Sequence, residues 1–253
     1  MKKQLVALCA VALLLACTLG LSGGVARAAE KFIAVGDCYW PPMEFLNENK
    51  EPQGFTFDLL REMGKRGGFE VEIRNVAWDA IFAGVALGKF DIVASSCDIT
   101  EERKNQFDFS DSYYEVVQAV ILPAGKSISS LADLRGKAVG TQVSTAGTFV
   151  VRDANVGATL REYGKVEQAL EALVGGRIDA VVCDEPVAMY YVNTSREYAG
   201  KLSISYRHDA REFFGFVVKK GRKDLVDKLN ASLKMVRDAG IDKQLAQKWF
   251  GGK

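Results

Sequence analysis

The sequence predicts an α/β protein of two lobes, each a parallel-rich sheet flanked by helices. Three observations carry that reading. Apolar residues switch repeatedly between the two-residue period of a strand and the three-to-four-residue period of a helix. One segment recurs: Gly88-Lys89-Phe90-Asp91-Ile92-Val93 closes on Cys97-Asp98, and Gly176-Arg177-Ile178-Asp179-Ala180-Val181 closes on Cys183-Asp184. The chain has 253 residues, 48% hydrophobic and 26% charged, enough for two modest cores in a soluble protein.

In order along the chain, Phe32 to Val35 reads as a strand, and Phe55, Leu59 and Met63 recur at helical spacing. Val71 and Ile73 alternate as a second strand. Trp78, Ile81, Phe82 and Val85 form a helical stripe, and Phe90 to Ala94 is a buried strand. The second repeat copy also follows a helix, with Val166, Ala169, Leu170, Leu173 and Val174 on one face. Open parallel sheets bind ligands beyond the carboxyl ends of their strands, where each copy places its closing Asp, so two such edges facing one another make a cleft. The tail from Lys223 to Phe250 reads as two helices parted near Gly240, with Leu225, Leu229, Leu233 and Val236 in one stripe and Trp249 as a core anchor.

Composition excludes several classes. Scattered Gly and only 5 Pro rule out collagen and low-complexity chains. Without Lys2, Lys3 and Arg27, the charged residues of the first 28, there remain 30 basic and 32 acidic residues, a net charge of −2 with no long basic run. That balance argues against nucleic-acid binding. Residues 1–28 read as an export signal: two lysines, an apolar run from Leu5 to Leu21, then Ala26-Arg27-Ala28. The run is shorter than a membrane span. Leu14-Leu15-Ala16-Cys17 offers the alternative of a lipid anchor on Cys17, although Leu15 stands where a small residue is usual.

Cys38, Cys97 and Cys183 remain in the exported chain, so one bridge and one free thiol, or no bridge, is expected. Cys38 and Cys97 both follow inner strands of the first lobe and are the expected pair, leaving Cys183 free. Their spacing fits no zinc pattern and His208 is the only histidine, so neither a metal site nor a cofactor is expected.

Tyr39-Trp40-Pro41-Pro42-Met43-Glu44-Phe45, Gly54-Phe55-Thr56-Phe57-Asp58-Leu59, Ile99-Thr100-Glu101-Glu102-Arg103 and Asp108-Phe109-Ser110-Asp111-Ser112-Tyr113-Tyr114 occur in that order. Together with the Lys248-Trp249-Phe250-Gly251 terminus, they make the chain resemble family-3 extracellular solute-binding proteins, the polar amino-acid receptors of ABC importers. The resemblance implies the two-lobed periplasmic-binding-protein fold with a two-strand hinge. Lobe 1 is then residues 29–113 and 214–253, lobe 2 is 118–210, and the hinge lies near 113–117 and 211–214.

The resemblance also implies site residues. Arg103 matches the arginine that holds the ligand α-carboxylate, a task that suits its planar fork. Without the family it reads as a solvated arginine in a first turn capped by Thr100. Gln142 and Thr145 come from the second lobe, Thr145 matching a carboxylate-binding hydroxyl, and Ser96 joins them from the first. Asp184 matches the carboxylate that takes the α-ammonium; it also reads as an N-cap for the helix that Pro186 begins. Trp40 and Trp78 match the aromatic pair around the ligand side chain, with core packing the plainer reading of each. Asp37 matches a position contacting polar or cationic side chains, and a carboxylate beside aromatics suits a cation. Asp98 departs from the family's Ser or Thr: either it pairs with Arg103 or a lysine, or the ligand lacks an ordinary α-carboxylate.

The expected function is a monomeric periplasmic receptor that closes on a small zwitterion, a polar or cationic amino acid, and presents it to importer membrane subunits. The alternatives are a cleft dehydratase or lyase using Asp184, Glu185 or Asp98 as acid, and a receptor feeding a sensor kinase.

Overall fold

The computed structural model describes residues 29–251. The export signal expected in residues 1–28, with Cys17, lies outside the described residues. Strands are numbered β1 (Glu30–Gly36), β2 (Tyr39–Trp40), β3 (Glu44–Leu46), β4 (Pro52–Gln53), β5 (Phe69–Asn75), β6 (Ile92–Asp98), β7 (Phe107–Phe109) and β8 (Tyr114–Val116), continuing with β9 (Gln118–Pro123), β10 (Ala138–Gln142), β11 (Thr159–Tyr163), β12 (Ala180–Asp184), β13 (Leu202–Arg207) and β14 (Glu212–Lys219). The α-helices are α1 (Phe55–Gly67), α2 (Trp78–Ala86), α3 (Glu101–Gln106), α4 (Ala146–Ala154), α5 (Val166–Val174), α6 (Glu185–Asn193), α7 (Lys223–Asp238) and α8 (Ile241–Phe250).

Two main sheets result, ordered β5-β1-β6-β14-β7 and β11-β10-β12-β9-β13, beside a small β2-β3-β4 sheet. Each main sheet has the same nucleus. Its first parallel strand, β1 or β10, lies between the two parallel strands that follow it, and an antiparallel strand closes the far side. Chain direction therefore switches beside β1 and β10, opening a crevice at their carboxyl ends. The sheets are joined where β8 and the start of β14 pair antiparallel, Tyr114 facing Phe214 and Val116 facing Glu212.

The repeat explains part of this symmetry. Asp91 donates its backbone N–H to the Ile33 carbonyl at 2.9 Å, and its carboxylate accepts the Ile33 N–H at 2.8 Å. Asp179 does the same with Ala138, at 2.8 and 2.9 Å. Each aspartate thus starts a parallel pair and fixes its register, Ala34 opposite Ile92 and Val139 opposite Ala180. Phe90, expected within the strand, precedes β6 because Asp91 occupies the ladder's first position.

Side chains alternate across the sheets as a pleat requires. Ala34, Ile92 and Ala94 face the core shared with α1 and α7, whereas Val35, Val93 and Cys97 face a second cluster with Trp78 and Ile81. In the other lobe Val181 and Cys183 face the large core, while Ala180 and Val182 face Val139 and Val151. The structure corrects the expected disulfide: Cys38, in the turn after β1, packs in one cluster and Cys97 of β6 in the other, and all three thiols are free and buried. Gly36 ends β1 where a Cβ would stand 2.5 Å from the Ala94 carbonyl, so only glycine lets β1 and β6 approach beneath the site.

Trp249 is half-buried and packs against the large core: it stands edge-on to Phe45, and its Nε1 donates to Asp58 at 3.1 Å. Among the described residues no helix is long and apolar enough to cross a membrane.

Candidate functional site

Four strand ends converge on one cleft. Asp37 follows β1, Ser95, Ser96 and Asp98 end β6, Gln142 and Thr145 mark the end of β10, and Asp184 ends β12. With Trp40 on β2 and Trp78 opening α2, these residues line one cavity between the lobes. Of the nine residues singled out from sequence, eight line it; the ninth, Arg103, stands behind Asp98, and Ser95 joins unforeseen.

The lobes touch across the cavity through side chains. Trp40 Nε1 donates to Asp184 Oδ2 at 2.8 Å, Gln142 Nε2 to Asp37 Oδ2 at 3.0 Å, and an Arg103 terminal nitrogen to the Ser144 carbonyl at 3.1 Å. Lys165 sets its ammonium 3.3 Å from the centre of the Tyr39 ring, a fourth bridge.

Arg103 is built in by its helix. Thr100 Oγ1 accepts the Arg103 backbone N–H at 3.2 Å, and the guanidinium lies against the rings of Trp78 and Phe82, 5.5 and 5.6 Å from their centres. One terminal nitrogen donates to the Asp98 carbonyl at 3.1 Å and stands 3.5 Å from its carboxylate. Asp98 therefore pairs with Arg103, the first of the two expectations for it. Trp78 is packed in the cluster beneath α2 and also lines the cavity.

Asp184 occupies the N-cap position of α6 but makes no side-chain cap bond. Its oxygens instead accept from Trp40 and, at 2.6 Å, from Gln118 Nε2. Gln118 also donates to Glu212 at 2.7 Å, and carboxylate oxygens of Asp98, Asp184 and Glu212 lie within 4.8 Å of one another. The expectation of no metal site rested on histidine and cysteine, whereas this acidic cluster offers the oxygen ligands a hard cation uses. The Arg103 charge beside Asp98 opposes a divalent ion there, so an organic cation that donates directed hydrogen bonds fits the arrangement better.

Burial governs the titration of these groups. It pushes the Asp184 carboxyl up to about 7 against the bonds from Gln118 and Trp40, with the Glu212 charge adding to the rise. Burial raises Asp37 to about 6, opposed by Gln142, Lys165 and the Trp78 backbone N–H. Asp98 is held well above the ordinary range by burial and then by the Asp184 charge, with Arg103 opposing. Glu44, given no site role from the sequence, is fully buried, accepts the Ser96 hydroxyl at 2.9 and 3.1 Å, and is likewise raised by burial. Ser96 itself has φ of 42° and Ser144 φ of 57°, left-handed conformations costing about 1–3 kcal/mol each in non-glycine residues. Gln118 and Glu212 carried no sequence signal, because each reaches the site only through pairing of strands distant in the chain.

The family described as bacterial extracellular solute-binding proteins, family 3, matches residues 33–252. The ABC transporter arginine-binding protein 1 of Escherichia coli (strain K12) is 30% identical over 228 residues, spanning 89% of this chain and 93% of that protein. A solved ancestral arginine-binding protein bound to arginine has a TM-score of 0.82 at 33% identity, over 88% of this chain and 100% of its own. An ancestral amino-acid-binding protein described as a precursor of cyclohexadienyl dehydratase has a TM-score of 0.79 at 31% identity, over 87% of this chain and 95% of its own. With the matched segment covering nearly all the described residues and both lobes, the chain belongs to the family-3 bacterial extracellular solute-binding proteins.

Proposed function

We propose that this protein is a periplasmic receptor that captures a small amino acid with a cationic side chain between its lobes and presents the closed form to the membrane subunits of an ABC importer. One observation carries the reading: the inter-lobe cavity combines an aromatic pair, Trp40 and Trp78, with carboxylates from both lobes, and Arg103 stands against one of them, Asp98. Arg103 holds the ligand carboxylate with the N–H groups left over from its bonds to Asp98 and Ser144. Asp37, beside both tryptophans, takes the side-chain cation, and Ser96, Gln142 and Thr145 complete the polar wall.

Closure follows from contacts available only when both lobes meet, so the ligand supplies the differential free energy. In this reading residues 113–117 and 211–214 are the hinge, the lobes keep the boundaries given above, and the exported chain acts as a monomer. The likeness to a dehydratase precursor supports a second reading, acid catalysis by a protonated cleft carboxyl such as Asp184. Calorimetric titration with the twenty amino acids, alongside small-angle scattering, separates the two. A receptor binds one or a few basic amino acids and compacts on saturation; turnover of prephenate without amino-acid binding would replace it with the enzyme.

A further inference from the structure

The carboxylates around the cavity differ in what already occupies them. Asp184 accepts from Trp40 on one oxygen and Gln118 on the other, and Asp37 accepts from Gln142. Asp98 lines the same cavity at 5% exposure, yet its Oδ1 is buried with no hydrogen-bond partner. Arg103 does not fill that need: its terminal nitrogen is 3.5 Å from the other oxygen and is spent on the Asp98 carbonyl. A buried acceptor left bare is costly, and Asp98 is among the residues that line the space a ligand would occupy.

The acceptor also sits on a seam between lobes. Asp98 belongs to β6 in one sheet and Asp184 to β12 in the other, and closing the cleft brings them together with Glu212 of β14. Like charges so placed oppose closure unless a positive group or a proton enters between them.

We propose that Asp98 is a specificity-determining residue whose Oδ1 receives the ligand's ammonium N–H, so that the cation bridges Asp98 and Asp184 and closure requires it. The inference rests on the receptor reading and adds to it a demand for a free ammonium between Asp98 and Asp184. A hydroxyl at this position could offer one neutral acceptor; the carboxylate offers charge as well. Blocking the ammonium removes both the donor and the compensating charge, so N-acylated ligands are refused more strongly than a steric clash with one lobe would cause.

Ligand-free behaviour follows from the same geometry. The charged or titratable groups around Asp98 are Arg103 of α3, Asp184 of β12, Glu212 of β14 with His208 near it, Glu44 of β3 and the neighbouring Cys97 thiol. Arg103 is the single fixed positive charge in that set, against four carboxyls. Deprotonation with rising pH adds repulsion across the seam, and the empty cleft opens.

The test is calorimetry of wild-type protein and Asp98→Asn with L-arginine and Nα-acetyl-L-arginine, with circular dichroism confirming that the variant folds. The proposal expects Asp98→Asn to weaken L-arginine at least tenfold while changing the acetylated probe less than twofold. L-arginine affinity unchanged or tightened in the variant would overturn it, since that result assigns Asp98 to restraining Arg103 only. Equal losses for both probes would also overturn it. If wild-type protein binds no basic amino acid, the receptor reading fails instead, and a second measurement decides the inference by itself. Inter-lobe fluorescence transfer in ligand-free protein should report opening between pH 5 and 8 in wild type and a much smaller change in Asp98→Asn; identical pH responses would refute the cross-lobe role.

Discussion

The ends of β6 and β12 invite comparison, because both read Cys-Asp and both follow an aspartate that starts a parallel strand. At their beginnings the lobes are copies: Asp91 and Asp179 clamp Ile33 and Ala138 with the same pair of hydrogen bonds. At their far ends they diverge. Strand β6 runs seven residues and carries Ser95 and Ser96 before Asp98, whereas β12 runs five and reaches Asp184 at once. The longer β6 carries Ser96, which donates to Glu44, and Asp98, one of whose oxygens is bare, whereas both oxygens of Asp184 are engaged. Where the lobes repeat one another the aspartates build scaffold, and where they part company the aspartates line the cleft.

The comparison breaks most visibly at the recognising ends. Arg103→Ala and Asp184→Asn should each weaken basic amino-acid binding by about 2–5 kcal/mol, because each removes one partner of a buried, hydrogen-bonded charge. Calorimetry with L-arginine or L-lysine measures this, and circular dichroism should show the fold retained. Losses below twofold would move recognition elsewhere in the cleft.

At the scaffold ends the effect should fall on stability alone. Asp91→Ala and Asp179→Ala each leave a first-strand N–H without its acceptor, costing about 1–3 kcal/mol. The two losses should be similar, and ligand selectivity should not change. Chemical denaturation and a binding panel read the two quantities separately. A selectivity change in Asp179→Ala would mean that the clamps also set the cleft.

The scaffold was legible because it is written locally. The Asp91 and Asp179 segments, the stripe through Trp78 and Ile81, and the paired tail helices are patterns within a few residues. The strand-end rule then places Asp98 and Asp184 at a cleft, while the roles of Asp37, Trp40 and Arg103 came from the family resemblance. Contacts between distant strands were not legible. Nothing near Gln118 announces that it will bridge Asp184 and Glu212, 66 and 94 residues away, and no local pattern marks Glu44 as the buried partner of Ser96. The expected Cys38 to Cys97 bridge failed for a related reason: following neighbouring strands does not tell that one thiol packs in the large core and the other in the cluster with Trp78.

A smaller effect distinguishes the empty protein. Asp37 and Asp184 rise from an ordinary 3.8 to about 6 and about 7, so the folded state binds more protons than the unfolded chain between those limits. Stability of the ligand-free protein should therefore fall as pH rises from about 4 to about 7 and then level. Melting temperatures across that range check the sign; a rise through the same window would mean that these carboxylates are stabilised as anions in the fold.

Ligand binding should carry the opposite sign, and this tests the central claim most directly: a cation held between carboxylates of the two lobes. Calorimetric titration of L-arginine into the protein from pH 5 to pH 8, in buffers of different ionisation enthalpy, reads affinity and proton release together. The account predicts affinity that climbs through about pH 6 to 7 with net release of protons, as the cation displaces them from Asp37, Asp98 and Asp184. Affinity that is flat or falls with pH, or proton uptake on binding, would contradict it.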